Sequence, residues 1–426
     1  MDLGFIYAYI VTQFIRPQDW VSGLEGSRIV LYLLIPALLV GLVKKFSSGR
    51  SIKLPQNYFV FGFLFMVLAS NILNATAENG IDQFVLFVKR SLVFFIFLLY
   101  LDTPRKIRRV LDFVVLMALF LAIEGIFQAK TGVGLAGQTL MPGYEEIRIR
   151  WIGDWDGPNV LAVLFVAGFG FCLEYMLNGY SSIHRKAFAL ITGGVLFYAV
   201  YLTNSRGGYL ALVFTVVVAG FKRTGLKLKY ILPAVAVLFI VLQFAAPKRM
   251  SGQHSKEESA RERLWLWEQG ISMTMDKPLY GVGKGNFKKQ SYQNLVAHNN
   301  YIQQAAEIGL VGFFVWLGIM YFSFKGVYMV LRQDAAPALD EDDLQELRMV
   351  GGALLTSLAG FAAATMFVTM EFDLLWILWG LSGAAVLAAD GCGLNIRKDI
   401  RLSDLLGIGA GVTGVLAVIF FLVVRN

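Results

Sequence analysis

The chain has 426 residues, of which 57% are hydrophobic and only 16% charged, with a mean hydropathy of +0.61. That balance excludes a soluble globular surface, so the length is better divided by the ~20 residues of a membrane-spanning helix than into soluble domains. The net charge of +8 sits in short loops between apolar segments and no basic run alternates with aromatic residues, which excludes a nucleic-acid footprint.

In chain order, apolar segments run through residues 3–15, 29–43, 57–73, 84–100, 110–127, 159–176, 187–202, 208–221, 228–246, 308–327, 349–368, 371–389 and 405–424. The first is short and followed by Pro17, so the prediction is an all-α polytopic membrane protein with 12 to 13 transmembrane helices. The N-terminus has neither a basic stretch nor a small-residue cleavage site, and reads as a retained first helix. Short loops keep Lys and Arg on the cytoplasmic side, and alternate loops agree. Lys44, Lys45, Arg50 and Lys53 mark one, Arg105, Lys106, Arg108 and Arg109 the next, then Arg185 and Lys186, with further cations in 222–229 and 397–401. The loop 74–83 has none. The long segment 247–297 then faces outward, which divides the chain into N-terminal helices 1–246, an outward loop region 247–307 and C-terminal helices 308–426. Cys172, inside a span, and Cys392, in an inside loop, are not expected to bridge. The acidic run Asp340 to Asp343 with Glu346 reads as a solvated helix start.

Charge where this pattern makes it scarce asks for an anionic partner. Lys89 and Arg90, early in the fourth span, need a counter-charge, either Glu124 in the fifth span or a lipid phosphate. Arg148 and Arg150 precede Asp154-Trp155-Asp156, whose carboxylates either hold a divalent cation or share a site with those arginines; two acids specify little, and no metal site is assigned. Gly157-Pro158-Asn159 reads as a helix start with proline in the first turn. Arg206, in a short turn ending in Gly207-Gly208, is either a snorkelling anchor or a bidentate phosphate contact with space left beside it by the glycines. Residues 259–275 fit an amphipathic helix with Leu264, Trp267 and Ile271 on one stripe and Arg263 beside it, whose plainer role is to lie on the outer leaflet. Gly281 to Gly285 match neither phosphate-binding fingerprint and read as a tight turn. The polar stretch from His298 leads straight into an apolar helix. It sets one of three histidines at the membrane boundary, where a proton acceptor can meet a lipid-borne substrate. Asn299 and Gln303, four apart, either hydrogen-bond sugar hydroxyls or line a packed polar helix start.

Jointly these pieces resemble a known family. His298-Asn299, nine residues, Gly309, two residues, Gly312 is similar to the outer-loop signature of the O-antigen ligases, in the wider O-antigen ligase and polymerase family. Ser205-Arg206-Gly207-Gly208, Arg263 four residues before Trp267, and Pro278-Leu279-Tyr280-Gly281-Val282-Gly283 extend the resemblance, and Phe14-Ile15-Arg16-Pro17-Gln18-Asp19 resembles a subgroup of O-glycosylation ligases. It is clear over about 159–327. Gly157-Pro158-Asn159 departs from the Asn-Pro-Asn of many relatives, and a thirteenth span would exceed the usual twelve.

The resemblance implies transfer of a glycan from undecaprenyl pyrophosphate to a hydroxyl of lipid A-core oligosaccharide, on the periplasmic face of the bacterial inner membrane. It implies a GT-C-like fold with one large periplasmic loop, and neither nucleotide nor metal as cofactor. His298 is then the expected general base, with Arg206 and Arg263 holding the pyrophosphate. Arg148, Arg150, Lys89, Arg90, Asn299 and Gln303 are weaker candidates for contacts to donor or acceptor. The same chemistry with a glycan or a protein as acceptor stays open. A transporter is a distant alternative, because charge collects in outward loops rather than at the bilayer midplane. Partners expected are donor, acceptor and membrane lipids, with no nucleic acid, and the chain is expected to act as a monomer.

Overall fold

A computed structural model describes residues 3–142, 146–224, 254–332, 341–371, 373–394, 396 and 399–424. The candidate span 228–246, part of the basic loop 222–229, and positions 397 and 398 lie outside the described residues. Helices of at least eleven residues are α1 (Gly4–Phe14), α2 (Ile29–Ser48), α3 (Pro55–Leu73), α4 (Ala77–Tyr100), α5 (Pro104–Thr131), α6 (Pro158–Leu177), α7 (Ile183–Thr203), α8 (Arg206–Thr224), α9 (His254–Asp276), α10 (Asn300–Leu331), α11 (Glu341–Ala364), α12 (Asp373–Gly391) and α13 (Leu402–Val424). Among the described residues, ten helices are long and apolar enough to cross a membrane, while α1 and the stretch Arg206–Phe221 of α8 are shorter apolar helices. No strand occurs among them, and the all-α polytopic expectation holds.

Local chemistry sets the helix ends. Proline opens α3, α5 and α6 in the first turn, where its missing N–H has no intrahelical acceptor to lose. Thr103 and Ser182 cap α5 and α7 by accepting from the backbone N–H of Lys106 and Arg185. Gly49 and Gly132, both left-handed, end α2 and α5.

Packing then follows small residues and aromatic rings. α6 lies against α7 and α11, α10 against α3, and α12 against α4. A Cβ on Gly170 would sit 3.0 Å from the Ser357 backbone, so glycine is what lets α6 and α11 approach so closely. At the centre, Trp376 and Trp379 meet edge to face at 5.2 Å, and Trp379 meets Trp316 at 6.2 Å. α2 and α13 stay mostly exposed, as helices facing lipid do.

Contacts gather described basic segments, the end of α2 with the loop after it and the start of α5, at one end of the bundle. There the acidic start of α11 meets cations in the first turns of α5: Arg105 lies 3.6 Å from Asp343, and Arg108 pairs with Glu346. The solvated helix start thus has a basic partner. Both cysteines are free. Two boundaries differ from the hydropathy reading. α4 begins at Ala77, ahead of its apolar run. The span read through 349–368 stops being helical at Ala364, because the next residues give their carbonyls to α10: Thr365 O accepts from Asn300 N and Met370 O from Asn300 Nδ2, each at 2.9 Å. Met366, Phe367, Val368 and Met370 make this non-helical return look like a span to any hydropathy window.

Candidate active site

At the end of the bundle away from the basic loops, a cavity of about 420 Å³ is lined by Arg148, Arg206, Arg263 and His298 together with Asn159, Glu262, Trp267 and Phe367. Leu210 and Leu422, from the outer helices α8 and α13, complete it with apolar surface.

Each charged side chain is delivered by a distinct local device. α7 ends in Asn204, left-handed at φ 54°, and the Ser205 hydroxyl accepts from Gly208 N at 3.2 Å, so Arg206 becomes the first residue of α8. Its guanidinium therefore shares the cavity edge with the positive end of a helix, an arrangement suited to an anion. The glycines beside it do not simply leave room for a ligand. A Cβ on Gly207 would lie 2.5 Å from Phe367 Cβ and one on Gly208 2.8 Å from Ala162 Cβ, so both serve close packing.

Arg263 comes from α9, which covers the predicted amphipathic stretch. Its apolar side packs on protein rather than lying only on lipid: Leu266 and Trp267 are buried, and Trp267 Nε1 donates to Ala297 O at 3.0 Å. That bond holds α9 next to the residue before His298. His298 has φ 50°, a left-handed conformation that costs a non-glycine residue energy, and it turns the chain into α10. Burial, and then the charge of Arg263, lower its pKa to about 4, so the imidazole is neutral at physiological pH.

Asn299 and Gln303 do not share a helical face. Asn299 is the cap of α10, accepting from Tyr301 N at 3.0 Å and Ile302 N at 3.2 Å; Gln303 Oε1 accepts from Ala297 N and Thr369 Oγ1, and its Nε2 donates to Glu307. Neither lines the cavity, and the packed helix start is the reading the geometry favours.

Arg148 and Arg150 separate. The Arg148 guanidinium reaches Thr203 O and Asn159 Oδ1, both at 3.4 Å, and is in the cavity wall. Arg150 is drawn away by Asp156 at 2.9 Å and Thr139 O at 2.8 Å. Asp154 meets Arg16 at 3.1 Å, so the two carboxylates around Trp155 serve different arginines. Pro158 opens α6 as expected, which brings Asn159 to the cavity. Lys89 and Arg90 do not line it. Glu124 is not their counter-charge, since it accepts from Gln138 Nε2 at 2.7 Å and Leu135 N at 3.2 Å; Arg90 instead acts electrostatically on Asp373, which also accepts from Tyr9 at 2.7 Å.

The glycine-rich turn is a docking device. Gly281, Gly283 and Gly285 all have positive φ, and Val282 N and Gly283 N donate to Ala306 O and Glu307 O, each at 2.9 Å. Gly309 answers with φ 68° and ψ −179°, breaking α10, so that Leu310 N donates to Pro278 O at 2.7 Å. Below it, the fully buried Lys284 lies 2.8 Å from Glu307 and also pairs with Glu371. Burial opposes its charge, but the two carboxylates outweigh burial and raise its pKa above the ordinary lysine value. Sequence reasoning missed this clamp, along with the contributions of Asn159, Glu262 and Phe367. A lone lysine beside glycines carries no signal without its partners at 307 and 371.

Fold and site together define an integral membrane protein whose helix-borne arginines and neutral imidazole surround one cavity with an apolar side. Residues 188–317 match the family model described as O-antigen ligase, a window that runs from α7 into α10 and contains Arg206, Arg263 and His298. The chain is also similar to the teichuronic acid biosynthesis protein TuaE of Bacillus subtilis, 22% identical over 90% of this chain and 84% of that protein. These findings bear out the resemblance to the O-antigen ligase and polymerase family, whose chemistry is glycan transfer.

Proposed function

We propose that the protein is a lipid-linked-oligosaccharide-dependent glycosyltransferase of the O-antigen ligase type, GT-C-like in fold. It sits in the bacterial inner membrane with the cavity on the periplasmic face and 247–307 as its catalytic loop. The donor is a glycan on undecaprenyl pyrophosphate and the acceptor a hydroxyl of lipid A-core oligosaccharide. The observation that carries this reading is the convergence of His298, Arg206, Arg263 and Arg148 on one cavity with an apolar side, which suits a charged pyrophosphate on an isoprenoid tail.

Neutral His298 accepts the proton of the acceptor hydroxyl as its oxygen attacks the anomeric carbon. The bond from that carbon to the pyrophosphate oxygen breaks on the opposite face, with inversion. Arg206, Arg263 and Arg148 take up the charge that grows on the leaving pyrophosphate, each contributing about a hundredfold in rate (~3 kcal/mol) by analogy with other anion-stabilising donors. An imidazole of pKa about 4 is a weak base in the empty site; bound pyrophosphate raises its pKa and its strength together. The donor is already activated, so positioning, proton removal and charge stabilisation suffice.

A growing glycan as acceptor is the second reading, favoured by the similarity to a teichuronic acid biosynthesis protein. The test is purified protein with undecaprenyl-pyrophosphate-linked glycan, offered lipid A-core or glycan acceptors, without nucleotide and with a chelator present. Transfer to lipid A-core supports the ligase, transfer only to glycan the polymerase, and no transfer to any acceptor rejects the glycosyltransferase.

A further inference from the structure

We propose that the basic end of the protein binds one anionic phospholipid between α2, α3 and α4, at a site separate from the cavity around His298. For the headgroup, a cavity of about 140 Å³ between the end of α2, the loop before α3, the end of α4 and the start of α5 is lined by Lys44, Lys45, Arg50 and Lys106 against a single carboxylate, Asp102. Asp102 is taken by Lys106 at 2.7 Å. Arg50 lies just past the end of α2, and its Nη2 is buried with no hydrogen-bond partner. A guanidinium nitrogen removed from water and left without an acceptor is costly, and a phosphate oxygen in the cavity removes that cost.

Ile52 and Leu99 line this cavity and also a second one of about 610 Å³, which is almost wholly apolar and follows α4 between α2 and α3. Its α4 wall extends from Phe84 to Leu99, roughly 22 Å at ~1.5 Å per residue. That exceeds the ~15 Å hydrocarbon depth of one leaflet, so an acyl chain fits along it. Leu42, Phe65 and Phe95 are among its walls; its polar lining side chain, Ser91, already donates to Val88 O at 2.8 Å. A charged head pocket joined to an apolar trough matches a phosphate diester carrying acyl chains, with two lysines as point charges and an arginine fork around one phosphate. Loose annular lipid accounts for exposed cations at a membrane surface, but not for a guanidinium nitrogen withdrawn from water beside a cavity lined by lysines.

The test uses the full chain, delipidated and titrated with phosphatidylglycerol, with bound lipid counted by native mass spectrometry. The expected result is one phosphatidylglycerol per chain, held at least tenfold more tightly than phosphatidylcholine. Arg50→Gln should weaken it tenfold or more and Arg50→Lys less. Val88→Trp, which fills the trough from its half-exposed wall, should weaken it too, whereas His298→Ala should leave it unchanged. Each variant's melting temperature in phosphatidylcholine checks that it folds. Equal binding of the two phospholipids, or wild-type binding by Arg50→Gln, overturns the proposal. So does displacement by undecaprenyl phosphate at equal concentration, which would give the trough to an isoprenoid.

Discussion

At the scale of single residues, His298 combines strain, burial and a neighbouring cation, and its low pKa has a kinetic consequence. Only the neutral imidazole can accept a proton, and it is neutral above about pH 4 in the empty site. The acid limb of kcat/KM, which reports the free enzyme, should therefore fall near pH 4. With the proposed donor, that of kcat should lie higher, because a bound pyrophosphate would raise the pKa. Coincident limbs in both profiles would argue against donor charge acting on this imidazole. For Arg206→Ala, a loss of about a hundredfold in kcat is expected, with Arg206→Lys regaining only part of it, since an ammonium lacks the planar fork. Full recovery by lysine would make Arg206 a simple charge. The sequence made these residues legible because Arg206 and His298 sit at helix starts, in runs unlike their apolar surroundings. Asn299 and Gln303 misled for the converse reason: spacing alone cannot tell a helix cap from a residue within the helix.

At the scale of elements, the loop before His298 is held by the paired breaks at Gly281 and Gly309 and by the buried Lys284. A Cβ on Gly309 would lie 2.5 Å from the backbone of Leu279 and Tyr280, at a φ of 68°. Gly309→Ala should thus loosen the loop, giving faster proteolysis between α9 and α10 and reduced transfer; wild-type protection would show that the docking tolerates a side chain. Lys284→Met should be harsher, since it strands Glu307 and Glu371. Loss of one member of a buried ionic cluster costs about 3–5 kcal/mol, measurable as a lower denaturation midpoint at neutral pH. The turn was readable from its glycines, and the helix start at Pro158 from its proline. The return of 365–371 into the site was not, because its apolar residues read as a span while its ties to α10 run through the carbonyls of Thr365 and Met370, and Phe367 lines the cavity.

For the whole molecule, the described basic loops and the His298 cavity lie at opposite ends, and from the positive-inside pattern we propose that the cavity end is periplasmic. With Cys172 and Cys392 replaced by serine, a cysteine at exposed Ser47 should react with an impermeant thiol reagent only from the cytoplasmic side, and one at exposed Arg261 only from the periplasmic side. The opposite pattern would invert the orientation. Hydropathy and basic loops sufficed to read the class of fold, since bilayer thickness leaves few alternatives to a helical bundle. The gathering of α6, α8, α9 and α13 with the segments at Arg148, His298 and Phe367 around one cavity was not readable, because it depends on contacts between segments far apart in the chain. The most direct measurement compares wild type with His298→Ala in single-turnover transfer, with donor binding determined on the same preparations. Donor affinity within twofold of wild type and transfer at least about a hundredfold slower is the predicted result, and near-normal transfer by the variant would contradict it.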